Sequence, residues 1–130
     1  MDIAGMLAEF HEAFQQPYGC GYGNTEGVEL RRDLHAEEAL ELDEVLCGYD
    51  LAAVAHELAD VVYVAYGTAH YLGIPLDAVI AEVHAANMRK FPGGRVVFRP
   101  DGKVLKPRGW KPADVAAVLR EHGGPGDDAA

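Results

Sequence analysis

Apolar residues recur along most of the chain at three- and four-residue intervals, the spacing of amphipathic helices. Residues that interrupt or end helices, among them Pro17, Gly48 and Gly73, separate these stretches. The pattern predicts five helices, over residues 3–14, 28–46, 51–71, 75–90 and 112–121. It contains too few alternating segments for a sheet. We therefore expect an all-α bundle of four to five helices.

The stretch over residues 95–106 departs from helical spacing. Two short apolar runs, at residues 96–98 and 104–105, flank Pro100-Asp101-Gly102, a combination typical of a turn between extended segments. We expect a small hairpin or an irregular segment here. Residues 123–130 are rich in Gly, Pro and Asp and are expected to form a disordered tail.

The composition is that of one small globular domain, which we assign to residues 1–122. Hydrophobic residues make up 49% of the 130 residues and the mean hydropathy is -0.07, values too high for a disordered chain. No apolar run approaches the ~18 residues of a membrane-spanning helix, and no basic leader is visible, so neither a membrane nor a secretory segment is expected. Two cysteines are too few for a disulfide scaffold, which favours a cytoplasmic location.

Charge is distributed unevenly along the chain. With 11 basic and 21 acidic residues the formal net charge is -10, which argues against a nucleic acid polymer as partner. Eight of the eleven Lys and Arg residues nevertheless fall between Arg89 and Lys111, where Asp101 is the only acid. Such blocks are commonly solvated surface, so this one indicates a function only together with other evidence.

Polar residues, most of them acids, interrupt the apolar stripes of three predicted helices. One stripe of the second helix mixes both types: Leu30, Leu34, Glu38, Glu41 and Val45. Glu37 lies beside this stripe. One stripe of the third helix also mixes apolar and acidic residues, with Asp60 at its edge: Val54, Glu57, Val61 and Val64. The stripe of the fourth helix is apolar first and then polar: Leu76, Ile80, Val83, Asn87 and Lys90.

Carboxylates on facing stripes of two neighbouring helices would repel one another, and burying an unpaired carboxylate is costly. A divalent cation removes this conflict, and Mg²⁺ and Mn²⁺ prefer oxygen ligands. The ExxE pair Glu38/Glu41 and the ExxD pair Glu57/Asp60 each project from one side of a helix, because residues three apart are neighbours. We therefore predict a metal site between these helices; the alternative for any single acid is a solvated or salt-bridged side chain.

These motifs resemble the signature of the all-α nucleoside triphosphate pyrophosphatases, the MazG-like and phosphoribosyl-ATP pyrophosphohydrolase-like superfamily. The resemblance covers roughly residues 10–112 and is carried by several segments: Phe14-Gln15-Gln16-Pro17, Glu37-Glu38-x-x-Glu41-Leu42, His56-Glu57-Leu58-Ala59-Asp60-Val61-Val62-Tyr63, Gly73-Ile74-Pro75-Leu76-Asp77, Val83-His84-x-x-Asn87-Met88-x-Lys90, and Asp101-Gly102-Lys103-Val104-x-Lys106. The doubled Glu37-Glu38 and the form of the Val83-to-Lys90 motif resemble the branch that includes dUTP-cleaving enzymes. The chain departs from the family at Ile74-Pro75, where Ile-Asp is more usual, and after Lys106.

The resemblance implies a MazG-like fold and hydrolysis of a nucleoside triphosphate between the α and β phosphates, which yields a nucleoside monophosphate and pyrophosphate with Mg²⁺ or Mn²⁺ as cofactor. Carried over by position, four acids would hold the metal: Glu38, Glu41, Glu57 and Asp60. Glu37 and Glu38 are the catalytic candidates, and Glu37 would either complete the metal shell or orient the attacking water. Asn87 matches a nucleotide-contacting position, and Lys90 one suited to the phosphates.

The basic segment gains a role in this context. We expect it to close over the site as a phosphate clasp, with Lys103 and Lys106 as the leading candidates and Trp110 placed to cover a base. A solvated tail, or a segment that pairs with acids of a second subunit, is the alternative. The apolar third helix and the resemblance both favour a homodimer or homotetramer. Three tyrosines of that helix are candidates either for the interface or for the core: Tyr63, Tyr66 and Tyr71.

Other function classes fit less well. A di-iron carboxylate bundle would need Glu-x-x-His pairs, and none of the six histidines has a Glu three residues before it. A serine nucleophile is excluded because the chain contains no serine, and Cys20 and Cys47 lie in a Gly-rich loop and near a helix end. A non-catalytic, oligomeric helical module that binds a nucleotide or a partner remains the alternative to an enzyme.

Overall fold

The computed structural model describes residues 1–123 and places five α-helices in them. In chain order they are α1 (Ile3–Ala13), α2 (Thr25–Leu46), α3 (Leu51–Leu72), α4 (Leu76–Met88) and α5 (Val115–Glu121). No strand occurs in this range, so the prediction of an all-α fold is confirmed. None of these five helices combines the length and apolar composition needed to cross a bilayer. The expected tail falls almost entirely on residues 124–130, outside the described range.

Polar caps explain why two of the helices begin away from their predicted residues. The side chain of Asn24 accepts a hydrogen bond from the backbone N–H of Gly27 (3.0 Å), so α2 starts earlier than the predicted residue 28. The Asp114 side chain accepts one from the backbone N–H of Ala117 (3.1 Å), and α5 therefore starts at Val115. The predicted start at residue 112 was wrong. The other helix ends lie within two residues of the prediction.

The basic segment after α4 contains a turn with very little extended structure. A short 3₁₀ turn, Pro92–Gly94, follows the helix. Phe98 and Val104 then form an isolated antiparallel bridge, supported by a hydrogen bond from the Leu105 N–H to the Val97 carbonyl (2.6 Å). The expected hairpin is thus reduced to a single bridge, because its short apolar runs are mostly exposed and bury no common face.

Helix α3 is the element against which α1 and α2 both pack, whereas α4 packs mainly against α5. Gly73, whose φ of 75° suits glycine, ends α3 and turns the chain toward α4. The buried apolar residues of the described chain come chiefly from α3, with one each from α1, α4 and α5: Tyr66, Ala69, Tyr71, Leu7, Ala86 and Val118. The nearly all-apolar sequence of α3 thus indicated its central position.

The face that α2 turns toward α3 differs from the predicted stripe. Leu30 is 58% exposed and Glu41 is exposed, whereas their neighbours Arg31 and Leu42 are half-buried. The half-buried residues of α2 recur every three or four positions: Gly27, Arg31, Leu34, Glu38, Leu42 and Val45. The prediction that Leu30 and Glu41 share the buried stripe was therefore wrong. The helix is rotated by about one residue, which brings Arg31 to hydrogen-bonding partners on α3.

Two of the three tyrosines considered for an interface lie in the core of the chain. Tyr66 and Tyr71 are each 7% exposed, whereas Tyr63 is 38% exposed. The Tyr66 hydroxyl donates a hydrogen bond of 2.5 Å to Oδ1 of Asp77 in the first turn of α4. This bond, together with burial and the charge of Asp77, raises the pKa of Tyr66 to about 12. Tyr66 therefore connects α3 to the start of α4.

Replacing Tyr66 tests this connection. Tyr66→Phe is expected to lower the free energy of unfolding by about 1–3 kcal/mol, because a hydrogen bond to a charged acceptor is lost. Tyr63→Phe on the same helix is the matched control and should cost less than about 0.5 kcal/mol. Urea denaturation followed by circular dichroism measures both values. Equal losses in the two variants would contradict the role assigned to the Tyr66 hydroxyl.

Candidate metal centre

Three carboxylates from two helices meet between α2 and α3. Glu38 and Glu41 lie one turn apart on α2, and Glu57 lies across from them on α3. One oxygen of each residue lies within 4.8 Å of the oxygens of the other two. The short connection over residues 47–50 makes the helices an antiparallel pair, so the two acidic motifs come to the same level. The structure thus brings three of the predicted metal ligands together.

Glu57 is the buried member of this acid cluster, which we define as Glu38, Glu41 and Glu57. It is 7% exposed, and Glu38 is half-buried. Glu38 Oε2 and Glu57 Oε1 are buried and have no hydrogen-bond partner among the described residues. A hydrogen bond with Glu38, burial, and the charges of Glu38 and Glu41 raise the pKa of Glu57 to about 7. A divalent cation would relieve this repulsion and use these acceptor oxygens, so the donor set fits Mg²⁺ or Mn²⁺.

The other two predicted acids lie just outside the acid cluster. Asp60 follows Glu57 by one helical turn, and its Oδ2 lies 3.4 Å from Nε2 of His56. Glu37 is exposed on α2, beside Glu38. Neither residue belongs to the group of converging oxygens, although each lies within one turn of a member of it.

A cavity of about 250 Å³ adjoins the acid cluster, and Glu38 and Asp60 both line it. Two further lining residues, Arg31 and His11, were not singled out from the sequence. His11 is 2% exposed, and its Nδ1 has no partner among the described residues. Burial, followed by the charges of His70 and Arg31, lowers the pKa of His11 to about 4. His11 is therefore neutral at physiological pH.

The sequence contained signals that Arg31 faces α3, but none for His11. Arg31 stands three residues before Leu34 and seven before Glu38, so it shares their face of α2. Gly67 interrupts an apolar helix, and a Cβ at this position would lie 2.7 Å from Nη2 of Arg31. Glycine inside a helix costs about 0.5–1 kcal/mol relative to alanine, so its presence indicates the close approach of another group. For His11 the sequence offered no comparable signal.

The predicted nucleotide-binding residues lie on α4 and in the basic segment. Asn87 is exposed near the end of α4, and Lys103 is exposed in the turn. Lys90 and Lys106 both stand over the ring of Trp110, with Nζ 5.3 and 4.8 Å from its centroid. Within residues 1–123, none of these four predicted residues forms an ion pair or a hydrogen bond with the acid cluster.

Trp110 fastens the basic segment to α4. Its Nε1–H donates a hydrogen bond to the carbonyl of Ala86 (2.8 Å). Arg89, at the end of the helix, donates through Nη2 to the carbonyl of Lys111 (3.1 Å). Because the indole N–H and the ring are already engaged within the chain, this arrangement gives no support to the expectation that Trp110 covers a base.

The model of the phosphoribosyl-ATP pyrophosphohydrolase family matches residues 7–87. This span covers more than half of the 130-residue chain and includes the acid cluster. The chain belongs to this family. The family is part of the MazG-like all-α nucleoside triphosphate pyrophosphatase superfamily, so the resemblance seen in the sequence is confirmed. No curated protein matches the chain.

Membership of the phosphoribosyl-ATP pyrophosphohydrolase family settles the class of reaction. The protein is a nucleotide pyrophosphohydrolase, a hydrolase that acts on acid anhydrides. The family generally depends on a divalent metal, and the acid cluster offers the carboxylate oxygens that such an ion requires.

Proposed function

We propose that this protein is a Mg²⁺- or Mn²⁺-dependent enzyme that hydrolyses a nucleoside triphosphate between the α and β phosphates. The products are a nucleoside monophosphate and pyrophosphate. The convergence of Glu38, Glu41 and Glu57 carries this proposal, because two of their buried oxygens have no partner in the described chain. Displacement at phosphorus needs charge neutralisation and positioning more than covalent catalysis, and a site of carboxylates meets that need.

Each acid has a proposed role. Glu38, Glu41 and Glu57 are ligands of the cation, and Asp60 is the fourth. When bound, the cation supplies neutralisation of phosphate charge and a lower pKa for an attacking water. Glu37 either completes the ligand set or, like Glu38, accepts the proton of that water. The water oxygen forms a bond to a phosphorus atom next to the oxygen that bridges the α and β phosphates. The bond between that same phosphorus and the bridging oxygen breaks.

Four residues are proposed to bind the nucleotide: Asn87, Lys90, Lys103 and Lys106. The contacts of Lys90 and Lys106 with Trp110 support a phosphate-binding role, because they hold two ammonium groups beside one aromatic ring before substrate arrives. Since these residues form no hydrogen bond or ion pair with the acid cluster within the described chain, we propose that a second subunit brings a basic segment to it.

Exposed apolar side chains support a homodimer or homotetramer. Leu58 and Val62 on α3, and Ile80 and Val83 on α4, are exposed in the single chain. Ile80 and Val83, the middle residues of the stripe on the fourth helix, are therefore not buried within one chain. Apolar surface of this kind is typical of a protein interface.

The proposed substrate is dUTP, because the doubled Glu37-Glu38 and the motif from Val83 to Lys90 resemble the dUTP-cleaving branch. Phosphoribosyl-ATP is the second candidate, from the description of the matching family. Neither a membrane nor a nucleic acid polymer is proposed as a partner. Both cysteines are free, which supports a cytoplasmic location.

Product analysis tests the reaction and the substrate together. The protein is incubated with dUTP, dCTP, dTTP, dATP, dGTP or phosphoribosyl-ATP, each with Mg²⁺ or Mn²⁺. We expect one substrate to yield its monophosphate and pyrophosphate. Release of inorganic phosphate without pyrophosphate would contradict cleavage between the α and β phosphates. No turnover by a folded protein that binds Mn²⁺ would favour the non-catalytic nucleotide-binding module instead.

Lys103→Ala tests the phosphate-binding role of the basic segment. We expect KM for the triphosphate to rise about tenfold, the equivalent of one charge-assisted hydrogen bond, with little change in kcat. Arg95→Ala, in the same segment, is the control for loss of a positive charge. Steady-state kinetics separates the two parameters. An unchanged KM in Lys103→Ala would remove this residue from the phosphate contacts.

A further inference from the structure

The contact between α2 and α3, the two helices that carry the acid cluster, is partly apolar and partly polar. Helix α2 contributes no buried residue, and the face that it turns to α3 includes two charged residues, Arg31 and Glu38. Helix pairs are ordinarily aligned by interdigitated side chains along a continuous apolar face. The acids of the cluster also repel one another when no cation is bound. Half-buried apolar side chains such as Leu34 and Leu42 therefore share the alignment of the two helices with polar contacts.

Arg31 crosses from α2 to α3 with two hydrogen bonds. Its Nε–H donates to Oγ1 of Thr68 at 2.8 Å, and its Nη2 donates to the carbonyl of Val64 at 2.9 Å. Nε2 of His35, one turn further along α2, lies 2.7 Å from the same Thr68 hydroxyl. Within residues 1–123 Arg31 forms no ion pair with a carboxylate. Its directional contacts are thus with neutral acceptors on α3.

The guanidinium approaches the backbone of α3 closely because residue 67 is glycine. A Cβ at Gly67 would lie 2.7 Å from Nη2 of Arg31 and 3.3 Å from Nε2 of His11. Any larger residue would displace the guanidinium from the Val64 carbonyl, because close-packed atoms tolerate little overlap. The chain therefore places a buried helical glycine where this contact needs it.

The contacts of Arg31 share the register of the acid cluster. Seven residues separate Arg31 from Glu38 on α2, and seven separate Glu57 from Val64 on α3. Because the two helices run in opposite directions, Arg31 meets Val64 in the same alignment in which Glu38 meets Glu57. Sliding one helix by a turn would separate both pairs at once.

We propose that Arg31 is a positioning residue for the metal centre, whose hydrogen bonds to Thr68 and Val64 hold α2 on α3 in the register that assembles the acid cluster. The inference rests on the proposed function, because it requires the cluster to bind a divalent cation. The positive charge of Arg31 by itself acts in the opposite direction, since a cation near Glu38 disfavours a second one. The sign of the change in metal affinity therefore separates positioning from electrostatics.

Two substitutions of Arg31 test the proposal through Mn²⁺ binding, measured by calorimetric titration and by electron paramagnetic resonance of the unbound ion. Arg31→Met removes the hydrogen bonds and the charge, while Arg31→Lys keeps the charge and loses the two-pronged geometry. We expect both to weaken Mn²⁺ binding about tenfold or more, as residues that orient metal ligands do. Arg32→Met, the adjacent exposed arginine, is the control and should change the affinity by less than about twofold.

Circular dichroism at the titration temperature shows which variants are folded, and Mn²⁺ affinities are compared only among those. Should Arg31→Met fail to fold, substitutions of Thr68 replace it. Thr68→Val removes the hydroxyl acceptor and is expected to weaken Mn²⁺ binding, whereas Thr68→Ser keeps the hydroxyl and is expected to restore it. A contact that was merely structural would lower Tm without changing the affinity of the folded protein for Mn²⁺.

Two results would overturn the inference in distinguishable ways. If folded Arg31→Met and Arg31→Lys bind Mn²⁺ as tightly as the unaltered protein, or more tightly, Arg31 does not position the acid cluster and the proposed function stands. If the unaltered protein binds no Mn²⁺, the proposed metal centre fails and the inference fails with it.

Discussion

Glu57→Gln is expected to lower kcat for pyrophosphate release by about 10²–10³-fold, the loss seen when one preorganised electrostatic contact is removed from a site. Mn²⁺ binding should weaken in parallel, because the buried ligand becomes a neutral amide. The metal-free variant should nevertheless be more stable than the unaltered protein. The amide carries no charge to repel Glu38 and Glu41, and it can donate a hydrogen bond to either. Kinetics and thermal denaturation in a chelator measure the two effects.

The matched control is Glu44→Gln, the same chemical change at an exposed position of α2 outside the acid cluster. It should leave kcat, Mn²⁺ binding and Tm close to those of the unaltered protein. Lost activity combined with gained metal-free stability identifies a functional acid, because removal of a structural acid lowers both. Full activity in Glu57→Gln would eliminate the acid cluster as the metal centre.

Mn²⁺ binding is expected to weaken as the pH falls below about 7, the pKa to which Glu57 is raised by its hydrogen bond with Glu38, its burial and the neighbouring charges. Below this pH an incoming cation must displace a proton from the cluster. The apparent affinity should therefore fall about tenfold per pH unit, with about one proton released for each ion bound. Calorimetric titration near pH 6, in two buffers of different ionisation enthalpy, counts the released protons. Glu57→Gln should release none.

The same proton affects the stability of the metal-free protein. The pKa of Glu57 rises from 4.5 to about 7 on folding, so between these values the folded chain holds a proton that the unfolded chain has lost. The contribution of Glu57 to the free energy of unfolding is therefore fully present below about pH 4.5 and declines as the pH rises toward 7. Thermal unfolding of the unaltered protein and of Glu57→Gln across this range isolates that contribution. A difference that does not vary with pH would contradict the raised pKa.

The meeting of Glu38, Glu41 and Glu57 was accessible from the sequence because it depends on local geometry. Residues three apart share a helix face, and a connection of four residues forces α2 and α3 into an antiparallel pair. Asp60 obeys the same spacing, yet its carboxylate lies near His56 and outside the converging oxygens. The direction of a side chain at the edge of a stripe depends on its partners, which periodicity does not specify.

Helix starts show the same division between local and tertiary information. Asn24, a residue type that caps helices strongly, indicates the beginning of α2 in the sequence. The prediction from apolar spacing did not use this signal. The beginning of α5 depends on Asp114, which caps the helix through its side chain while its backbone N–H donates a hydrogen bond to Glu82 of α4 (3.1 Å). That second contact joins positions 32 residues apart, and no local pattern contains it.

The sequence by itself determined the all-α class and the pair of acidic motifs whose glutamates meet in the acid cluster. The tertiary structure alone decided that Arg31 and not Leu30 lies against α3, and that the lysines near Trp110 form no ion pair with the acid cluster within the described chain. The physical reason is that helical periodicity defines which residues share a face. The orientation of that face follows from the free energy of packing and hydrogen bonding between two helices, a quantity that neither helix carries alone.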